Sequence, residues 1–238
     1  MLLEIAVFNI DSAIKAAVAG ADRIELCDNA MEGGTTPSYG TLKLAREKIS
    51  IPVFPIIRPR GGDFLYNDVE FEVMLKDVLL CKELGFEGIV IGILNADGSI
   101  NKQRTLQLVE CAYPLEVTFH RAFDRVTDPL KALEDIIDCG CQRILTSGQT
   151  PNALDGKDLI KQLIHQANNR IIIMPGSGVR SNNIKEIADT TGAVELHSSA
   201  RKLITSSMQF NNKNMNEDLQ NVSVDVAEIQ QMKSLLVS

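Results

Sequence analysis

The segment LEVTFHRAFD, residues 115–124, sets His120 and Arg121 directly after an apolar run that suits a buried strand. Strand alternation points one of the two into the space the strand faces and the other toward its wall. A histidine in that place takes or gives a proton near neutral pH, and Asp124 is close enough in sequence to orient it. The segment ELHSSAR, residues 195–201, sets Glu195 and His197 two apart and so on one strand face, the arrangement of a metal-binding pair or a proton relay. The same charges would also serve as a buried ion-pair cluster with Arg58 and Arg201. Glu25, in the run DRIEL, brings the set to two histidines and two carboxylates. No HExxH or comparable spacing accompanies them, so tightly bound zinc is not expected.

A second group of residues suits an anion. IRPRGGDF, residues 57–64, follows the apolar run PVFPII with Arg58, Arg60 and Asp63 around a Gly61-Gly62 turn. Two prolines hold the backbone around Arg58, and the turn brings Asp63 back toward an arginine. Rigid arginines suit a carboxylate or a phosphate. MPGSGV, residues 174–179, carries Gly176 and Gly178, where backbone N–H groups can approach a ligand, and a helix predicted from about Ser181 aims its N-terminus at the same place. Ser147 in ILTSG, and Ser198 with Arg201 in ELHSSAR, extend that cradle. EGGTTPS, residues 32–38, offers a loop able to fold over a site as a lid or to bring Glu32 into the chemistry. Cys27 stands at a strand end with Met31 four residues on, a thiolate and a thioether that suit monovalent copper.

These side chains need a scaffold, and the chain has the material for one. It is 238 residues long and 45% hydrophobic, enough for a substantial core. Short runs rich in β-branched residues recur as LLEIAV, DRIEL, PVFPII, GIVIG, LEVTF, RILTS, RIIIMP and AVELHS, with helix-like segments between most of them. That alternation predicts an α/β fold, a (β/α)8 TIM barrel of one domain over residues 1–204. Residues 205–238 read as a polar, asparagine-rich loop and a helix from Asp225 to Leu236, packed on the barrel. Asn67 to Leu84 has a helical apolar stripe, and Asp128-Pro129 supplies a cap and a first-turn proline. In a barrel of this kind, the polar residues after each strand gather at one rim, where active sites lie.

Charge narrows the partners. The formal net charge is −7 with no block of like charges, which favours neither nucleic acid nor an anionic membrane, so a site for a small anionic molecule must be local. No run is long and apolar enough to span a bilayer, and the first residues read as a strand rather than a signal peptide. Five cysteines, an odd number scattered among predicted elements, suit reduced thiols in the cytoplasm; Cys139 and Cys141 fall in a helix-to-strand join opposite the rim and read as structural. A homo-oligomer is compatible with all of this.

The blocks ELCDNAMEGGTTPS, IRPRGGDFLY, VTFHRAFD, ILTSG, MPGSGV and ELHSSAR, in this order along the chain, resemble the signature blocks of the CutC family, named for copper homeostasis. The resemblance implies a TIM barrel in the cytoplasm with a link to copper, and it implies no settled catalytic activity. Copper sites proposed for CutC-like proteins use paired cysteines near the barrel mouth, and family members often carry one in strand one after a Glu-Ile or Glu-Val pair. Here Ala6 follows Glu4-Ile5, which leaves Cys27 without that partner and implies weak binding of monovalent copper. Two functions stand open: a copper-binding homeostasis protein, and an enzyme acting on a small phosphorylated or carboxylated metabolite.

Overall fold

The short apolar runs become strands because each is bounded by glycine or polar residues and buried on both faces, as parallel sheets require. In the computed structural model, which describes residues 1–237, they are β1 (Leu2–Val7), β2 (Arg23–Leu26), β3 (Val53–Pro55), β4 (Gly88–Ile91), β5 (Glu116–Phe119), β6 (Arg143–Thr146), β7 (Ile172–Pro175) and β8 (Glu195–Ser198). Between them run α1 (Ile10–Val18), α2 (Tyr39–Lys48), α3 (Asp68–Glu83), α4 (Lys102–Ala112), α5 (Pro129–Asp138), α6 (Lys157–Ala167) and α7 (Ile184–Thr191).

All pairings among the eight strands are parallel, in two four-stranded halves ordered β3-β2-β1-β8 and β4-β5-β6-β7. The halves join through an Ile56–Val90 bridge at one seam, and β7 lies against β8 at the other, so the sheet closes into a TIM barrel. Leu3, Ile5, Val7, Ile24, Leu26 and Ile89 belong to one continuous apolar core with the helices. Gly85 and Gly192 end α3 and α7 at φ of +74° and +78°, the left-handed cap that lets each helix turn back into the next strand.

Helix starts follow local chemistry. Asn67 caps α3, its side chain accepting from the Glu70 N–H while the Glu70 carboxylate accepts from the Asn67 N–H. Asp128 accepts from the N–H groups of Leu130 and Lys131 ahead of the first-turn Pro129. Ser181 does not cap α7, which begins three residues later; its N–H and hydroxyl both donate to Glu228 instead.

The end of the chain is more ordered than a loop and a helix. Residues after β8 form β9 (Arg201–Ile204), and the chain returns after the asparagine-rich excursion as β10 (Asn221–Val224), antiparallel to β9. The final helix α8 (Val226–Val237) packs against α1 and α7. Asn9 donates to the Val222 carbonyl at 2.9 Å, and Lys233 pairs with Asp22 at 2.5 Å, fastening this segment to the first barrel unit. Sequence reading missed β9 and β10 because their four-residue runs interrupt a polar stretch and gain strand character only by pairing with each other.

Asn67→Ala removes one half of the reciprocal cap of α3 and should cost about 1 kcal/mol in urea unfolding, with little change in the slope of the transition.

Candidate functional site

Charges fill the inside of this barrel where apolar side chains usually stack. Glu4 of β1, Arg23 of β2, Arg143 of β6 and Glu195 of β8 are all buried. Arg23 bonds Glu4 through its Nε and Glu195 through a terminal nitrogen at 2.6 Å. Arg143 reaches the same Glu195 oxygen from the other side at 2.8 Å and Glu116 at 2.6 Å. The ring of Phe54 lies against both guanidinium groups, 5.0 Å and 5.5 Å from their centres. Each buried charge has a partner, as burial demands.

One layer nearer the mouth, His197 Nδ1 lies 2.7 Å from the second Glu4 oxygen, and His197 Nε2 lies 3.7 Å from Glu25. Burial alone would raise the Glu4 carboxyl, but Arg23 and the His197 hydrogen bond outweigh it and hold the group at about 2. Burial works against charge on His197 as well; the bond to Glu4 and the charges of Glu25 and Glu4 overcome that and raise its pKa. Compensation at Glu25 is weaker. Burial and the neighbouring Glu4 charge push its carboxyl up to about 7, against the pull of His197. A carboxyl with that pKa is poised to give or take a proton at neutral pH.

Glu25 and His197 open into a cavity of about 280 Å³, which Arg58, His120, Arg121, Arg180 and Arg201 also line. Arg58 is buried and braced, donating to the carbonyls of Glu32 at 2.6 Å, Gly34 at 2.7 Å and Gly62 at 3.0 Å. Its Nε has no acceptor among the described residues. Ser177, Gly178 and Val179 form another side of the cavity, and their backbone N–H groups donate to no acceptor among the described residues. Ser177 holds φ at +83°, unusual for a side chain-bearing residue, and is fixed there by its hydroxyl donating to the Pro151 carbonyl and its own carbonyl accepting from Ala153. Arg180 donates to the Arg201 carbonyl at 3.0 Å, tying the loops after β7 and β8 together.

The CutC family pattern matches residues 1–202. The chain belongs to the CutC family. The mouse and human proteins named copper homeostasis protein cutC homolog are each 50% identical to it over 214 residues, which cover 90% of this chain and 79% and 78% of theirs. Its fold matches the crystal structure of CutC from Streptococcus agalactiae with a TM-score of 0.79 at 38% identity, over 84% of this chain and 98% of that one.

Within this CutC barrel, Glu25, Arg58, His120, His197, Gly178 and Arg201 come together around the cavity, and other expected residues do not. Glu195 sits below them, held between Arg23 and Arg143, so the partners of the buried carboxylates are these two arginines and not Arg58 and Arg201. The Gly61-Gly62 turn does bring Asp63 back to an arginine, Arg60 at 2.9 Å, but the pair lies at the surface, where Arg60 also holds Glu70, and neither residue lines the cavity. Glu32 is exposed, contributing its carbonyl to Arg58 while its side chain covers Gly61.

Asp124 does not orient His120. It bonds Arg121 at 2.7 Å, the Thr146 hydroxyl at 2.5 Å and the Ser147 N–H at 3.0 Å, bracing the loop after β6. Ser147 and Ser198 spend their hydroxyls on that loop and on the Val179 carbonyl, outside the cavity lining. The Gly176 N–H donates to Thr146, so it is a ladder group and not part of an anion cradle. His120 and Arg121 both line the cavity, since a single turn of 3-10 helix begins at Arg121 and ends strand alternation.

Cys27 is 2% exposed and Met31 90%, so the two sulfur donors do not converge. Burial first, then the Glu25 and Glu4 charges, push the Cys27 thiol well up. Among the described residues, no three of His, Cys, Asp and Glu cluster as a metal site. The donors present therefore do not form a closed copper site. Arg180 escaped the sequence reading although it stands directly after MPGSGV, and Glu4, Arg23 and Arg143 escaped it although a charge inside a β-branched run is itself a signal.

Folding changes the proton affinities of Glu25 and His197 in the same direction. Between about pH 4.5 and 7 the folded chain keeps the Glu25 proton that the unfolded chain releases, so stability falls as pH rises through that window. The raised His197 adds stability below its unfolded value that is likewise lost on the alkaline side. His120, which burial and the Arg58 charge hold at about 3, works the other way below pH 6.5, so the test runs above that value. Urea midpoints should drop from pH 6.5 to 8, and Glu25→Gln should flatten that drop; an unchanged slope in the variant would assign the titration elsewhere.

Proposed function

We propose that the cavity binds a small phosphorylated or carboxylated metabolite and that Glu25 exchanges a proton with it. The observation that carries this reading is one cavity lined both by Glu25 and His197 and by Arg58, Arg121, Arg180, Arg201 and residues Ser177 to Val179, whose N–H groups meet no acceptor among the described residues. In a chain of net charge −7, a cationic rim of that density is a local anion site. His197, held by Glu4 at 2.7 Å, lies 3.7 Å from Glu25 and favours its ionised form. In calorimetric titration with inorganic phosphate, Arg201→Ala should lose at least about tenfold in affinity with a nearly unchanged melting temperature, because its exposed side chain packs in no core. A variant that fails to fold would make Arg201 structural.

A role in copper homeostasis is the second reading, supported by the name that the mouse and human relatives carry and by Cys27 two residues beyond Glu25 at the end of β2. Five free cysteines support a cytosolic setting for it. Monovalent copper is written here as cargo. Binding must displace the proton of a buried thiol whose pKa is raised, and Ala6 stands where a second sulfur would help, so the affinity is low. Chelator competition under reducing conditions should show weak binding that Cys27→Ser abolishes and that Cys139→Ser with Cys141→Ser leaves intact. Tight one-to-one binding that survives Cys27→Ser would overturn this.

A further inference from the structure

His120 lines the same cavity, and the proton exchange proposed for Glu25 does not use it. It is 5% exposed, and its Nδ1 accepts a hydrogen bond from the Ala122 N–H at 3.1 Å. A ring nitrogen that accepts from a backbone N–H carries no proton, so the proton of the neutral imidazole is on Nε2. That Nε2 has no partner among the described residues, and the ring lines the cavity. A buried donor left without an acceptor is costly unless a ligand or water answers it.

The ring is clamped as well as buried. Phe64 packs on it with ring centres 4.9 Å apart, and Phe119 lies at 6.1 Å. Gly92 lies beneath it so closely that a Cβ there would come 2.3 Å from the His120 Cε1. Burial and the nearby Arg58 charge depress its pKa to about 3, so it stays neutral at physiological pH.

We infer that His120 is a fixed, neutral Nε2–H donor to an uncharged oxygen of the ligand, a carbonyl in the first instance, and that it is not a general base. The substrate class then narrows, on the anion reading proposed above, to small carbonyl compounds bearing a phosphate or carboxylate. A neutral donor held in place where negative charge develops on a carbonyl oxygen favours removal of a neighbouring proton, the step open to Glu25 on the same cavity. The proton passes from the carbon next to the carbonyl to the Glu25 carboxylate, and the electron pair moves toward the carbonyl oxygen that His120 holds.

Two probes differing only at that oxygen test it: dihydroxyacetone phosphate and glycerol 3-phosphate. The carbonyl compound should bind about tenfold more tightly, the worth of one well-placed hydrogen bond. His120→Leu should erase the difference while phosphate affinity stays within about twofold, and His120→Gln, which returns an N–H near the Nε2 position, should restore part of it. With nitrogen-15 histidine, the His120 ring should remain the Nε2–H tautomer from pH 5 to 8 and shift on adding dihydroxyacetone phosphate. Equal affinity for the two probes, or an imidazolium or Nδ1–H ring, would overturn the assignment and leave the anion reading standing. Binding of neither probe nor of inorganic phosphate would overturn the anion reading, and with it the ligand given to His120.

Discussion

The bond between Glu4 and Arg23 is the constraint on which the site depends. Two strands that pair residue for residue bring these groups together, Glu4 opposite Arg23 and Ala6 opposite Glu25. Arg23 is shared with Glu195, and Arg143 takes up the other side of that carboxylate, so the floor of the barrel is a closed set of alternating charges. A raised His197 pairs with the remaining Glu4 oxygen. Glu25 is then the carboxylate for which no full counter-charge is left, which is the physical reason that its pKa stands near 7 while that of Glu4 stands near 2. The poise of one group is produced by the saturation of its neighbours.

Both cavity histidines rest on a glycine from the neighbouring strand end. Gly92, after β4, lies under His120 of the β5 end, and Gly176, after β7, lies 3.1 Å from the His197 ring by its would-be Cβ. Glycine in these places is a matter of space: a side chain would displace an imidazole whose hydrogen bonds are already fixed. The loop after β7 then does two jobs. Its first glycine makes room for His197, and the three residues that follow line the cavity with N–H groups that meet no acceptor among the described residues.

Much of this was legible in the sequence, and what was not has an identifiable cause. Eight β-branched runs alternating with helix-like segments pointed to the barrel, and the rim rule gathered Glu25, Arg58, His120, His197 and Arg201. Depth along a strand was not legible. Glu195 and His197 share a face, yet one belongs to the floor and the other to the cavity, a difference of about 6.6 Å along the strand. Nor was partner choice: Asp124 is nearer in sequence to His120 than to Ser147, and it serves Ser147, because the turn at Arg121 swings it toward the next strand. The turn at Gly61-Gly62 brings Asp63 back to an arginine as expected, but to Arg60 at the surface and not to Arg58 at the cavity.

The two functional readings meet at the end of β2. Cys27 lies two residues beyond Glu25 on the chain leaving β2, buried with Phe54, Ile56 and Val90. Ala6, the register partner of Glu25, faces the same cavity with a methyl group. Below about pH 7 Glu25 is neutral and adds no repulsion to an incoming anion; above it the carboxylate repels an anion and attracts a cation. A soft cation at Cys27 has the further cost of expelling a proton from a thiol that this same carboxylate holds in its protonated form. A cysteine in place of Ala6 would put a sulfur on the cavity lining and tilt it toward metal. With alanine there the lining keeps a carboxyl, two histidines and several arginines, and no thiolate.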